Sequence, residues 1–345
     1  MEIGIDSFAA VLPESGSGGW SSPQDRMSAL IDEVEIADRA GLDIFGIGEH
    51  HRKEFLDAAP AVILAAAAAR TRNIRLTSAV TVLSAADPVR LFQEFATVDL
   101  ISNGRAELVV GRGSFVEAYP LFGLRLQDYD ELFSEKLELL LALREQTHPT
   151  WSGRFRASLG GQGVYPRPVQ ARMPLWVGVG GTPQSFVRAG ALGLPLMVAI
   201  IGGSFDRFRP LVDLYRQAGA RAGHPPQALK VGVHAIGFVG ETTAAAKDAF
   251  FPGWAYMFSE IGRERGWSPV TRAQFEAMCG PEGAFLIGDP KEVSARVLQV
   301  SETLGGISRM TFQMSAASQN PSAMRQSIQL LGTEVAPLVR DACKG

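Results

Sequence analysis

Residues 175–200, LWVGVGGTPQSFVRAGALGLPLMVAI, hold one complete strand–helix–strand unit. Leu175-Trp176-Val177-Gly178-Val179 reads as a strand, and Gly180-Gly181-Thr182-Pro183 as the turn that leaves it. Proline suits the first helical position behind a threonine, so a helix is expected over 183–192. Gly193-Leu194-Pro195 then breaks it. The next strand, Leu196-Met197-Val198-Ala199-Ile200, is apolar at every position. Both of its faces must therefore be buried, as in a parallel sheet covered by helices.

The same alternation covers the rest of the chain. Further strands are expected at 2–8, 44–48, 74–83, 106–111, 231–239 and 308–314, which brings the number to eight. Helices are expected at 23–40, 60–70, 88–101, 128–145, 205–222, around 242–265, 271–278, 290–304 and 321–342. Ser22 is placed to cap the first of these and Gly41 to end it, while Asp87 stands before Pro88. Eight strand–helix units predict an α/β protein built as a single (β/α)8 TIM barrel over 1–345. No Gly-x-Gly-x-x-Gly follows the first strand, which argues against an open dinucleotide-binding sheet. The chain has 345 residues, against roughly 250 in a plain barrel. The surplus is expected over the C-terminal face, as an insertion at about 151–170 and extra helices at about 242–285.

Composition excludes several classes of function. The chain carries 33 Lys+Arg and 36 Asp+Glu, a net charge of −3, with no long run of one sign. No nucleic acid and no membrane surface is expected as a partner. The longest apolar run, 58–69, contains Pro60 and is far short of the roughly 20 residues that cross a bilayer. No secretory leader pattern is visible, so a cytoplasmic location is expected. Cys279 and Cys343 stand in no metal-ligand spacing, and no His-Glu-x-x-His occurs, so no metal is expected. Gly-x-Ser-x-Gly and P-loop motifs are also missing, which removes support for an α/β-hydrolase or a nucleotide triphosphatase.

Barrel enzymes place their chemistry at the C-terminal strand ends. Glu49-His50-His51 falls just after the second strand, where a histidine serves proton transfer or hydrogen bonding to a cofactor, or simply a polar strand end. Adjacent side chains there point apart, so the two histidines do not share a metal. The Gly180-Gly181-Thr182 turn offers open backbone and free N–H groups to an anion, although any tight turn into a helix has the same residues. Arg112 stands between two glycines after the fourth strand, with room for a phosphate or ribityl oxygen, or for a surface ion pair. Arg105, at the opposite strand end, is expected to cap a helix or pair with an acid.

In combination these features resemble the bacterial luciferase-like flavin monooxygenase family. The resemblance is carried by Phe45-Gly46-Ile47-Gly48-Glu49-His50-His51, by residues 75–83 with Asp87-Pro88-Val89-Arg90, by residues 99–105 running into Gly111-Arg112-Gly113, and by Pro174-Leu175-Trp176-Val177-Gly178 with Gly180-Gly181-Thr182-Pro183. It covers nearly the whole chain, in the family's order. It implies an enzyme that takes reduced FMN, from a partner flavin reductase or from NAD(P)H, and O2. A C4a-hydroperoxyflavin would then oxidise a small organic substrate.

His50 matches the family's catalytic histidine. Ala79 and Val80 match the strand that carries a non-proline cis peptide behind the flavin ring. Arg112, Gly180, Gly181, Thr182 and Ser185 match positions that hold the flavin phosphate or ribityl chain. A homodimer is implied, with 60–70 and 88–101 as candidate interface helices, and the loop 9–22 is expected to cover the site. Two departures bear on function. Luciferase has a cysteine where Gly111 stands, so light emission is not expected. Luciferase also has an acidic residue where Gly181 stands, which resembles a broader branch that includes users of deazaflavin F420. An F420-dependent reductase or dehydrogenase, or a non-catalytic flavin-binding barrel, are the alternatives. Substrate choice would lie in the loops 9–20, 114–124 and 151–168, which carry no family pattern.

Overall fold

The apolar runs close on one another as a ring of eight parallel strands. In chain order these are Glu2–Ser7, Ile44–Ile47, Arg75–Ser78 with its continuation Thr81–Val82, Ala106–Gly111, Leu175–Val179, Leu196–Ile200, Val231–Val239 and Arg309–Gln313. Each pairs in parallel with the next, and the eighth pairs with both the seventh and the first. The register sets Gly4 opposite Ile44 on one side and Thr311 on the other. The chain is therefore a closed (β/α)8 barrel in a computed structural model that describes residues 1–11, 22–113, 115–264, 266–315 and 320–344. Most of the expected covering loop, and residue 114, lie outside the described residues.

Side chains alternate between the helix-facing and the barrel-facing side of each strand. Ile3 and Ile5 turn outward and join Leu30, Val34 and Ala37 of the first helix in the main core. Glu2, Gly4 and Asp6 turn inward. At the N-terminal end the interior is filled by charge: Arg309 pairs with Glu107 and with Glu2, and its guanidinium lies 4.0 Å over the Trp176 ring. Arg309 and Glu107 are each 2% exposed. The N-terminal end is thereby closed with paired groups, and open chemistry is left to the other end.

The helix boundaries follow local signals. The Ser22 hydroxyl accepts from the Asp25 N–H at 3.1 Å, and Asp87 accepts from the N–H groups of Val89 and Arg90, each at 3.0 Å. Arg105 caps rather than pairs with an acid. Its guanidinium donates to the carbonyls of Ser102, Ile74, Ala68 and Thr71, so one cation satisfies two helix ends and a strand.

The structure departs from the sequence reading in four places. The strand expected over 74–83 is interrupted at residues 79–80. Leu286–Gly288 is an unanticipated short strand beside Gly237–Val239, too brief to show a period. The insertion at 151–170 holds a two-stranded pair, Thr150–Trp151 with Leu159–Gly160. The closing helix, expected unbroken, takes a π turn at Leu331–Val335. There Gly332 approaches the end of the first helix so closely that a Cβ would sit 2.5 Å from the Ala40 carbonyl oxygen. No helix among the described residues is long and apolar enough to cross a membrane.

Candidate active site at the C-terminal mouth

His50 leaves the second strand and is held by a residue of the loop that follows. Its backbone N–H donates to Asp57 Oδ1 at 3.1 Å, and its Nδ1 lies 2.8 Å from Asp57 Oδ2. Asp57 has no exposed surface. Burial pushes its carboxyl above the ordinary range, and the hydrogen bonds from His50 pull it back. With Nδ1 engaged by Asp57, Nε2 is the ring nitrogen left for other partners.

The ring of His50 lies among aromatic neighbours. Phe8, Phe55 and Phe115 have ring centroids 4.4, 4.7 and 5.4 Å away. Met257, Phe258 and Ile261, from the extra helix Thr243–Glu264, complete this apolar patch. Arg52 latches the segments together, pairing with Glu54 at 3.1 Å, Glu117, and Glu264 at 2.8 Å at the end of that helix. These carboxylates hold its guanidinium firmly charged.

His51 points elsewhere, with Nε2 3.2 Å from Glu49 Oε1 and its ring 5.1 Å from Phe122. The Glu49 carboxylate raises its pKa, and the other oxygen of Glu49 accepts the Val82 N–H at 2.8 Å. The two histidines thus serve different partners. Among the described residues no group of three His, Cys, Asp or Glu side chains could hold a metal.

The Ala79–Val80 peptide bond is cis, in the interruption of the third strand. Val80 packs on the fourth and fifth strands, where only glycine fits. A Cβ on Gly111 or Gly178 would lie 2.8 or 2.6 Å from its methyl groups. Across this floor is a second group of ligand-binding character. Arg112 Nη2 donates to Thr182 Oγ1 at 3.1 Å, and its guanidinium pairs with Asp130 and lies 4.8 Å over the Tyr129 ring. Thr182 occupies the N-cap position of the helix Pro183–Ala191, yet its hydroxyl makes no cap bond. Gly180 and Gly181 are exposed, and a Cβ on either would meet nothing within 4 Å. Ser185 is buried one turn on, its N–H donating to the Thr182 carbonyl. An Arg, a hydroxyl with its proton not committed to the helix cap, open glycine backbone and a helix start fit an anion such as a cofactor phosphate.

The structure also brings together residues that the sequence reading left aside. Asp6, on the first strand, accepts from the Thr311 hydroxyl and lies 2.6 Å from His234 Nδ1. The His234 ring stacks on Phe8 at 5.9 Å, so Phe8 stands between two Asp-held histidines. Gln313, at the end of the eighth strand, is 1% exposed and its amide has no partner among the described residues. The available signal was parity: Asp6, His234, Thr311 and Gln313 are polar residues at inward positions of otherwise apolar strands. Asp57 left no such signal, because it sits in an irregular loop.

The family model for luciferase-like monooxygenases matches residues 1–306. An uncharacterized protein of Sinorhizobium fredii is 28% identical over 66% of this chain and 64% of its own length, just under two thirds of that relative. Two solved structures share the fold along their whole length. The monooxygenase RslO1 from Streptomyces bottropensis is 23% identical, with 98% of this chain and 99% of that one covered and a TM-score of 0.83. The oxygenating constituent of 3,6-diketocamphane monooxygenase from Pseudomonas putida, in complex with FMN, is 21% identical over 98% of each chain, with a TM-score of 0.79.

Proposed function

The chain belongs to the luciferase-like monooxygenase family, and from that premise we propose that it is an FMN-dependent monooxygenase, oxidising a small organic substrate with reduced FMN and O2. The observation that carries this reading is the Arg112–Thr182 cradle at the fourth and fifth strands, set in the same barrel mouth as Asp57-held His50. Arg112, Thr182 and the backbone of Gly180 and Gly181 would hold the phosphate and ribityl oxygens, with Ser185 supporting the turn. Ala79 and Val80 would lie behind the ring. Bound and reduced, the flavin supplies the electrons that activate O2.

The remaining roles fall to the chain itself. Asp57 orients His50, whose Nε2 exchanges a proton with the reacting group. Phe8, Phe55 and Phe115 keep water from the site, which limits loss of the oxidant as peroxide. A separate flavin reductase would supply the reducing equivalents, or NAD(P)H would do so at the site. We place the protein in the cytoplasm as a homodimer, with the exposed Val62, Leu100 and Ile101 of the helices Pro60–Arg70 and Pro88–Ser102 at the contact.

The test is oxygen uptake with a flavin reductase, NADH and FMN, across a panel of aldehydes, ketones and thioethers. Oxygenated product from at least one compound, with less peroxide than in its absence, supports the reading. Peroxide alone across the panel favours a flavin-binding barrel without catalysis. Tight binding of F420 with no affinity for FMN favours the hydride-transfer alternative.

A further inference from the structure

Gln313 ends the eighth strand at the C-terminal mouth, level with Asp6 of the first strand and Ile236 of the seventh. It shares the inward parity of Arg309 and Thr311, whose side chains reach Glu107 and Asp6 across the interior. Only 1% of its surface is exposed, yet neither Nε2 nor Oε1 has a hydrogen-bond partner among the described residues. Nearby Asp6 is already engaged by His234 and Thr311. A buried donor and acceptor left together are costly, and an apolar side chain of the same length would fit more cheaply.

We propose that Gln313 recognises a planar amide or imide edge, a group that presents N–H beside C=O. A neutral donor–acceptor pair matches such an edge and has no advantage for a phosphate or an ammonium group. Position supports the assignment. The eighth strand lies four places around the ring from the fourth, across the mouth from the Arg112–Thr182 cradle. A ligand anchored by phosphate at the cradle and laid over the Val80 floor would extend toward the eighth strand, where a small shift would bring its far edge to Gln313. Two sources share this chemistry: the pyrimidine ring of a bound flavin, whose imide N–H is flanked by carbonyls, and an amide on the substrate. The flavin source rests on the function proposed above, whereas the substrate source does not.

The experiment compares the wild type with Gln313→Met, which keeps the length and removes both polar atoms, and with Gln313→Glu, which removes the donor. Without ligand, Gln313→Met is expected to melt about 2–4 °C higher, because an unsatisfied buried group is gone. An unchanged or lower melting temperature means that the amide is already satisfied and overturns the proposal. Flavin fluorescence then gives Kd for FMN and for N3-methyl-FMN, in which the imide N–H is blocked. Calorimetry, on protein with and without FMN, gives Kd for 2-pyrrolidone and for cyclopentanone, which lacks the N–H.

If the flavin edge is the ligand, wild type binds FMN about 10-fold tighter than N3-methyl-FMN, the loss of about 1.4 kcal/mol. Gln313→Met loses that preference, whereas Gln313→Glu, whose carboxylate still accepts the imide N–H, keeps it. If a substrate amide is the ligand, wild type ignores N3-methylation but prefers 2-pyrrolidone to cyclopentanone about 10-fold; Gln313→Met loses this preference and Gln313→Glu keeps it. Absence of both preferences in the wild type, or survival of the observed preference in Gln313→Met, rejects the assignment. Failure of the flavin reading looks different: FMN does not bind saturably to any of the three proteins, while the lactam titration on flavin-free protein still tests Gln313.

Discussion

Asp57 holds His50 at two points, its Oδ2 lying 2.8 Å from the imidazole Nδ1 and its Oδ1 accepting the His50 backbone N–H at 3.1 Å. A carboxylate so placed fixes both the position of the ring and which nitrogen faces the mouth. His50→Ala is expected to keep the fold and the flavin but to lose turnover about 10²–10⁴-fold. Asp57→Asn keeps the shape and removes the charge, so turnover is expected to fall about 10–100-fold with KM little changed. Steady-state kinetics on the two variants check this. Unchanged turnover in His50→Ala would remove the histidine from the mechanism.

The cradle makes a separate prediction. Arg112 donates to Thr182 and would give a charge-assisted hydrogen bond to a phosphate. Arg112→Ala is expected to raise the Kd for FMN about 10–100-fold, and Thr182→Ala by a smaller factor, with His50 chemistry preserved at saturating flavin. For riboflavin, which lacks the phosphate, the same variants should change Kd far less. Equal losses for FMN and riboflavin would place Arg112 away from the phosphate.

His51 gives a prediction in pH. Glu49 raises its pKa in the folded state above the ordinary 6.5, so the folded protein favours the protonated imidazole. The stability this contributes is fully present below about pH 6.5 and is lost as pH rises through the folded-state value. Compared by thermal melting, the wild type should therefore exceed His51→Gln most at pH 5.5–6, with the gap closing by pH 9. A gap that widens with pH would contradict the Glu49 pairing.

At the other end of the barrel, Glu107 and Arg309 act on stability alone. Glu107→Leu leaves a buried guanidinium with only Glu2 as a charged partner and is expected to cost about 3–5 kcal/mol. The double variant Glu107→Leu/Arg309→Met should recover most of that loss. Urea unfolding measures both. Activity per folded molecule should stay unchanged, because the C-terminal face holds the chemistry.

These residues also show why some of the molecule was legible in sequence and some was not. The strand Leu196–Ile200 announced itself because burial on both faces leaves no polar position, and glycine and proline marked its ends. Leu286–Gly288 was hidden because three buried residues carry no period. His50, Arg112 and Thr182 could be singled out because strand ends are defined by the local chain. Asp57 could not, because its role depends on a loop folding back over seven residues into a buried contact. Asp6, His234 and Gln313 fall between these cases: each is polar at an inward position, a property that appears only once the strand boundaries and the closure of the barrel are known.

The most direct test of the central claim is an equilibrium titration of the purified protein with FMN and, separately, with F420, read by quenching of cofactor fluorescence. Saturable one-site binding of FMN is expected, at least 10-fold tighter than that of F420 and weakened about 10-fold or more by Arg112→Ala. Tighter binding of F420, or FMN binding that Arg112→Ala leaves untouched, would contradict that claim.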